Sequence, residues 1–130
     1  MRFHISTAVL VTAFSHAYGL SHLEYGLLFF TIGAVFSLEA VNTAIERLTD
    51  LASPQRHPLA GAAKDAAAGA VLIMAVASVV IGCCLFLHFP KLTDTLFLIM
   101  TTWRLPVYLA LIIAGYFFTF KLPLNSSHPK

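Results

Sequence analysis

The stretch from Ala66 to Leu87 reads AAAGAVLIMAVASVVIGCCLFL and contains no charged residue. An uncharged apolar run longer than about 18 residues is typical of a helix that crosses a bilayer. This stretch is the centre of a longer run from about Ala62 to Phe89, which Pro90 closes. Its first residues are small, and small side chains let neighbouring helix backbones approach closely. The stretch therefore predicts a packed, membrane-spanning α-helix.

The composition of the whole chain agrees with a membrane protein. Of the 130 residues, 58% are hydrophobic and 11% are charged, whereas about 25% of a soluble domain is charged. The mean hydropathy of +0.83 excludes an ordinary water-soluble enzyme. At about 20 residues per crossing, the length suffices for three or four membrane helices in an all-α polytopic bundle. A net charge of +2 provides no basic patch for nucleic acid.

Two further apolar runs precede this stretch. The first, Ile5 to Leu20, ends at the polar break Gly19-Leu20-Ser21-His22 and predicts a retained first membrane helix, with a cleaved signal peptide as the alternative. The second extends from Glu24 through Leu38 and continues in a helical pattern to near Ser53-Pro54. The two runs are therefore expected to form antiparallel neighbours.

The C-terminal part is harder to assign from its pattern. Arg104 and Pro106 interrupt the run from Leu92 to Phe120, and Trp103 is typical of an interfacial anchor. The region is one tilted span or an interfacial segment followed by a short span.

Basic residues predict the orientation of the spans. With four spans, one side collects Arg2, Arg47, Arg56, Lys64, Lys121 and Lys130. The other side has Lys91 and, less clearly, Arg104. The positive-inside rule therefore places the side that bears Glu46 to Lys64 in the cytoplasm.

Polar residues form one stripe near the end of the second run. At 100° per residue, the following side chains project within about 60° of one direction: Glu39, Asn42, Thr43, Glu46 and Asp50. Glu39 lies about 10 Å deeper along the axis than Glu46. A charged group at that depth costs about 2.5 to 3.5 kcal/mol, so it needs a partner or a function. A general base there suits the hydroxyl of a lipid.

The remaining groups of the stripe point to phosphate chemistry. Glu46, Asp50 and the amide of Asn42 offer the hard oxygen ligands that Mg²⁺ prefers when it bridges phosphates. Lys64 supplies a positive charge for phosphate oxygens. Two alternatives remain open: the stripe holds helices together, with Lys64 paired to Asp50 or Asp65, or the carboxylates serve as a proton relay.

The histidines show no comparable grouping. Five of them have no metal-ligand spacing and are expected at the interface or in solvent, namely His4, His16, His22, His88 and His128.

A longer motif resembles a known family. The segments EAVNTAIE at 39–46, Asp50, HPLA at 57–60 and AKDAAAGAVL at 63–72 are similar to the prokaryotic diacylglycerol kinase family, in wording closest to its undecaprenol kinase branch. The resemblance covers Arg2 to Leu87.

The resemblance implies an ATP-dependent lipid kinase with three membrane helices and an amphipathic N-terminal helix. It also implies a requirement for Mg²⁺ and a homotrimer with sites between subunits. Glu39 would be the general base, Glu46 a metal ligand near the nucleotide, and Asn42 a support for that site. The groups that contact ATP would be Glu46, Lys64, Asp65 and a loop with Gln55, Arg56 and His57; those at the lipid would be Glu39, Asn42 and Ala68.

The sequence departs from the family pattern at its start. Family members carry an amphipathic helix with a second metal-binding Glu before a segment like Asn-Phe-Arg-Ile-His, whose end resembles Arg2-Phe3-His4. Glu24 cannot replace that Glu, because it lies at the opposite membrane face. The expected explanations are coding sequence upstream of Met1, a ligand from Asp50 or a neighbouring subunit, or an inactive protein.

These inferences combine into one expectation. Residues 1–89 form a kinase-like membrane domain, 90–120 an additional membrane segment and 121–130 a polar tail. The protein phosphorylates undecaprenol or, second, diacylglycerol in the bacterial cell membrane, with its active site facing the cytoplasm. The alternatives are a noncatalytic relative that acts as a scaffold or partner subunit, and a small proton or ion carrier that uses Glu39.

Overall fold

The computed structural model describes residues 2–53 and 57–121, and this part of the chain is helical, without strands. The helices are α1 (Arg2–Tyr18), α2 (His22–Ala52), α3 (Pro58–Phe86), α4 (Phe89–Thr101) and α5 (Arg104–Phe120). The all-α prediction is confirmed. The predicted tail, apart from Lys121, lies outside the described residues, as do Gln55 and Arg56.

The junction between α1 and α2 follows from local chemistry. Gly19 has a φ of +68°, a left-handed conformation that glycine adopts without a steric penalty. Ser21 then caps α2: its backbone N–H donates to Oε2 of Glu24 at 2.7 Å, and its hydroxyl accepts from the N–H of Glu24. This reciprocal capping box starts the next helix. The predicted break at residues 19–22 is confirmed, and Glu24 has a structural role at this end.

The left-handed glycine gives a prediction about stability. Gly19→Ala is expected to lower the free energy of unfolding by about 1 to 2 kcal/mol, because Cβ meets the following carbonyl in this conformation. Gly26→Ala is the matched control, since an added Cβ there meets no atom within 4 Å and the residue is helical. Thermal unfolding in detergent measures both variants. Equal melting temperatures for the two variants would contradict the prediction.

Helix α2 is longer than one membrane crossing requires. Its 31 residues correspond to about 46 Å, whereas the hydrocarbon core is about 30 Å thick. It packs along α3 as a hairpin, the most extensive helix pair of the fold. Pro58 stands in the first turn of α3, where its missing N–H is tolerated. Helix α3 begins at Pro58, before the predicted start near Ala62, and ends at Phe86, before the predicted end at Phe89. Pro90 therefore does not close α3 but belongs to the first turn of α4.

The C-terminal region is bent. Helices α4 and α5 meet at 93°, so a single tilted span would be broken by this bend. The 13 residues of α4 are too few to cross a bilayer, which agrees with the alternative of an interfacial segment followed by a short span. Only α2 and α3 of the described helices are separately long and apolar enough to cross, and the bent pair is a third candidate. The 17 residues of α1 lie at the lower limit of about 17 to 25, so its crossing stays a prediction.

Apolar packing is concentrated at one end of the molecule. Buried Tyr18, Leu20, Leu28 and Leu85 form the core cluster. Lys91 joins α4 to this end, donating to the carbonyl of Gly19 at 2.9 Å. Most other large apolar side chains are exposed in the single chain. Such a surface is expected to face lipid or other membrane helices.

Helix α5 packs antiparallel against α1. The Tyr108 hydroxyl donates to the carbonyl of Ala13 at 2.7 Å. Further along, the Ser6 and Thr119 hydroxyls lie 3.0 Å apart, and a Cβ on Gly115 would lie 3.3 Å from Cβ of Ser6. The C-terminus of α5 therefore lies at the same end of the molecule as the N-terminus of α1.

Candidate active site

The polar stripe lies on the C-terminal half of α2, and its burial changes along the helix. The Glu39 side chain is 11% exposed, whereas Asp50 is 71% exposed. Between them, the Thr43 hydroxyl donates to the carbonyl of Glu39 at 2.9 Å. The sequence interpretation of Glu39 as the deep carboxylate and Asp50 as the water-exposed one is in agreement with these values.

His4 is the partner of Glu39 that sequence reasoning missed. Its Nδ1 contacts Oε1 of Glu39, and the ring is 30% exposed. The packing of α1 beside α2 therefore supplies a polar group to the deepest carboxylate of the stripe. His4 was expected at the interface or in solvent. The available signal was its place in the Arg2-Phe3-His4 segment.

Asn42 and Glu46 follow Glu39 along the same face of α2, and both carry oxygen atoms that could bind a metal ion. Asn42 Nδ2 donates to Oε1 of Glu46 at 2.8 Å. The buried Oδ1 of Asn42 has no hydrogen-bond partner among the described residues, and Glu46 is exposed. An amide oxygen and a carboxylate fit Mg²⁺, which usually keeps several waters and takes further ligands from substrate phosphates. Over residues 2–53 and 57–121, no three His, Cys, Asp or Glu side chains are grouped for a metal.

Lys64 is positioned near the water-exposed end of the stripe. Its Nζ contacts Oδ1 of Asp50 across the α2–α3 hairpin. The Lys64 side chain is 37% exposed and Asp50 is 71% exposed, so the pair contributes little to stability and remains accessible to a phosphate. Pairing with Asp50, one of the alternatives left open by the sequence, is thus present. Asp65 is exposed beside Lys64.

His57 precedes α3, and Ala68 lies on the surface of this helix. His57 is the N-cap, and its Nδ1 accepts from the N–H of Leu59 at 3.2 Å, so the ring has a local structural role. Ala68 is exposed one turn after Lys64. The other members of the predicted nucleotide loop, Gln55 and Arg56, lie outside the described residues.

An apolar groove starts beside the deep carboxylate. It lies between α1, α2 and α3, has a volume of about 290 Å³, and its lining includes His4, Val35, Phe36 and Ser78. Phe36 is one helical turn before Glu39. A hydrocarbon chain in this groove would therefore place its polar end near the His4–Glu39 pair.

Comparison with known proteins identifies the family of this chain. The sequence profile of prokaryotic diacylglycerol kinase matches residues 1–86. The chain belongs to the prokaryotic diacylglycerol kinase family. It is therefore a member of a lipid kinase family of multi-pass membrane proteins, and the resemblance of its motif is confirmed.

Two relatives show how far the similarity extends. Undecaprenol kinase from Bacillus subtilis (strain 168) is 50% identical over 91 residues, which are 70% of this chain and 72% of that protein. Diacylglycerol kinase from Synechocystis sp. is 42% identical over 87 residues, which are 66% of this chain and 50% of that protein. No solved structure matches the chain. The family profile ends at the end of α3, so α4 and α5 are additional to it.

Proposed function

We propose that this family member transfers the γ-phosphate of ATP to the hydroxyl of a membrane lipid, undecaprenol first and diacylglycerol second. The observation that carries the proposal is the position of Glu39, which is almost buried and contacts His4, a residue that lines the apolar groove. The order of the two lipids rests on the 50% identity to the undecaprenol kinase.

The proposed chemistry is a direct phosphoryl transfer. The carboxylate of Glu39 accepts the proton of the lipid hydroxyl, and the hydroxyl oxygen forms a bond to the γ-phosphorus. The bond between that phosphorus and the bridging oxygen to the β-phosphate breaks, and ADP leaves. Catalysis of this kind depends on positioning and on neutralising charge more than on covalent chemistry.

The nucleotide would be bound at the more exposed end of the stripe. Mg²⁺, when bound, neutralises charge on the phosphates, and Glu46 and Asn42 are the side chains that would hold it. Lys64 would bind phosphate oxygens, with Asp65 beside it. The proposed nucleotide loop also contains Gln55, Arg56 and His57. Ala68 would lie beside the lipid substrate.

We also propose the assembly and location of the enzyme. A homotrimer with sites between subunits agrees with the exposure of Glu46 and Asp65 in a single chain. Among the described residues, four of the six lysines and arginines lie towards the end of the molecule that bears the exposed part of the stripe, namely Arg2, Arg47, Lys64 and Lys121. This distribution supports a cytoplasmic site in the bacterial cell membrane. Residues 1–89 are proposed as the kinase domain, 90–120 as an added membrane segment and 121–130 as a tail.

Transfer of labelled γ-phosphate tests the proposal. Purified protein in lipid vesicles with Mg²⁺ and labelled ATP is expected to label undecaprenol more rapidly than diacylglycerol. Label in diacylglycerol alone would overturn the substrate order. Label in neither lipid would favour the noncatalytic alternative, and ion flux without ATP would favour the carrier.

His4 gives a second prediction for this reaction. His4→Ala is expected to lower kcat about 100-fold, since a displacement of about 1 Å in a reacting group costs that much. The KM for ATP is expected to stay constant, because His4 does not contact Lys64 or Glu46. Steady-state kinetics with varied ATP and varied lipid separate the two parameters.

Two variants control the His4 experiment. His4→Asn is expected to recover most of kcat, since the amide nitrogen of Asn can replace Nδ1 as the group facing Glu39. His22→Ala removes an exposed imidazole at the other end of α2 and should have parental kinetics. Equal losses in His4→Ala and His4→Asn, or a higher KM for ATP alone, would contradict a positioning role.

A further inference from the structure

A second cavity lies away from the polar stripe. It has a volume of about 740 Å³ and is bounded by α1, α2 and the first half of α5. Ligand pockets in proteins are usually about 300 to 1,000 Å³. None of the stripe residues lines it, and the family match ends at residue 86. The proposed phosphoryl transfer therefore does not account for this cavity.

The shape of the cavity follows from how α5 packs on α1. Its lining ends near Ala8 and Leu111, beyond which Gly115 packs against Ser6. The hydrogen bond from Tyr108 to the carbonyl of Ala13 fixes the spacing of the two helices within the cavity. The wall of the cavity near Ala8, Ala13 and Leu111 is mostly apolar. An apolar wall is what a binding site for a lipid chain requires.

Polar groups gather at the opposite end of this cavity. His16, Trp103 and Arg104 line it there, at the bend between α4 and α5. Among the described carboxylates, none lies within ion-pair distance of Arg104. A guanidinium at the edge of an apolar wall favours an anion, and its planar fork matches the geometry of a phosphate. Arg104 also begins a 17-residue helix, whose N-terminal dipole favours negative charge.

We propose that this cavity binds a membrane lipid with an anionic phosphate headgroup. Arg104 contacts the phosphate, and an acyl chain lies between α1 and α5. Trp103 is 75% exposed, as an aromatic anchor at the headgroup level should be. The proposal rests on the cavity and its charge and does not depend on the kinase activity.

The position of Trp103 provides a direct test, because it is the only tryptophan of the chain. The full chain is reconstituted in vesicles of one fixed mixture of phosphatidylglycerol and phosphatidylcholine. In one sample the phosphatidylglycerol is brominated, and in the other an equal mole fraction of phosphatidylcholine is brominated instead. The measurement is the quenching of Trp103 fluorescence by the brominated lipid. The anionic lipid is expected to be enriched about fivefold at Trp103, the fold-change that corresponds to one basic side chain near a charged membrane surface. Equal quenching by the two lipids would overturn the proposal.

Variants separate a site from general surface attraction. Arg104→Gln is expected to remove the enrichment, whereas Arg47→Gln, with the same loss of charge at an exposed position of α2, retains it. Ala17→Phe fills the cavity and leaves Arg104 in place, and should also remove the enrichment. Loss of enrichment in both Arg variants, or its persistence after Ala17→Phe, would overturn the proposal.

Two further arms complete the test. Val107→Phe is the second cavity-filling variant for the case that Ala17→Phe does not fold, since Val107 lines this cavity and not the groove beside Glu39. Circular dichroism checks the helix content of each protein. Inorganic phosphate is added to the vesicles as the competitor without a chain. It should leave the quenching unchanged, and reversal by phosphate alone would show a free-anion site and overturn the lipid assignment.

Discussion

Phosphate transfer by the Glu39→Gln variant is expected to be about 10² to 10⁴ times slower than by the parent protein, which is the contribution of a positioned general base. Glutamine has the same shape as glutamate and can keep the contact with His4. It cannot take the proton of the lipid hydroxyl. The effect should therefore appear in kcat, with the KM for ATP unchanged. Single-turnover transfer of labelled phosphate measures it.

The matched control is Glu24→Gln. Glu24 lies in the first turn of the same helix and accepts the N–H of Ser21, and a capping box functions with Gln as well as Glu. This variant loses the same charge at the other end of α2 and is expected to keep parental activity. Full activity in Glu39→Gln would contradict the role of Glu39. Equal losses in both variants would trace the effect to folding.

Loss of Lys64 is expected to impair the use of ATP strongly. Lys64→Gln should lower kcat/KM for ATP about 100-fold, because the one charge-assisted hydrogen bond to phosphate is worth roughly 1.5 to 3 kcal/mol and each 1.4 kcal/mol is tenfold. Kinetics at varied ATP measure the change. Lys121→Gln, exposed at the C-terminus of α5, removes the same charge and should have no effect.

The contact with Asp50 requires one more variant. If Lys64 only neutralises Asp50, the loss in Lys64→Gln comes from an uncompensated carboxylate, and removing that carboxylate restores activity. If Lys64 binds phosphate, the double variant Lys64→Gln/Asp50→Asn stays as slow as Lys64→Gln. We expect the second result. Recovery in the double variant would contradict phosphate binding by Lys64.

Local features of the fold could be predicted from sequence because their causes are local. The run from Ala66 to Leu87 is uncharged, and in lipid a single segment can satisfy its backbone hydrogen bonds only as a helix. The turn at Gly19 and the cap at Ser21 depend on neighbours within three residues. The motif from Glu39 to Asp50 has the helical spacing that puts its polar groups on one face. This motif, with the segments at 57–60 and 63–72, also carried the family resemblance.

Contacts between helices required the tertiary structure. The partner of Glu39 is His4 on α1, and no helical period relates two residues on different helices. Lys64 had two possible carboxylates, Asp50 and Asp65. Adjacent positions on a helix point about 100° apart, so the rotation of α3 about its axis selected Asp50.

In the C-terminal region, too, the sequence indicated a local feature and the tertiary structure decided the geometry. Arg104 and Pro106 marked an interruption in the sequence, but not the 93° angle between α4 and α5. The angle depends on the packing of α5 against α1, which includes the hydrogen bond from Tyr108 to Ala13.

The sequence by itself determined the membrane helices, the polar stripe and the family, because apolar runs, caps and motifs are properties of neighbouring residues. The tertiary structure decided the partner of Glu39, the ion pair of Lys64 and the cavity beside Arg104, because packing between distant helices sets these contacts.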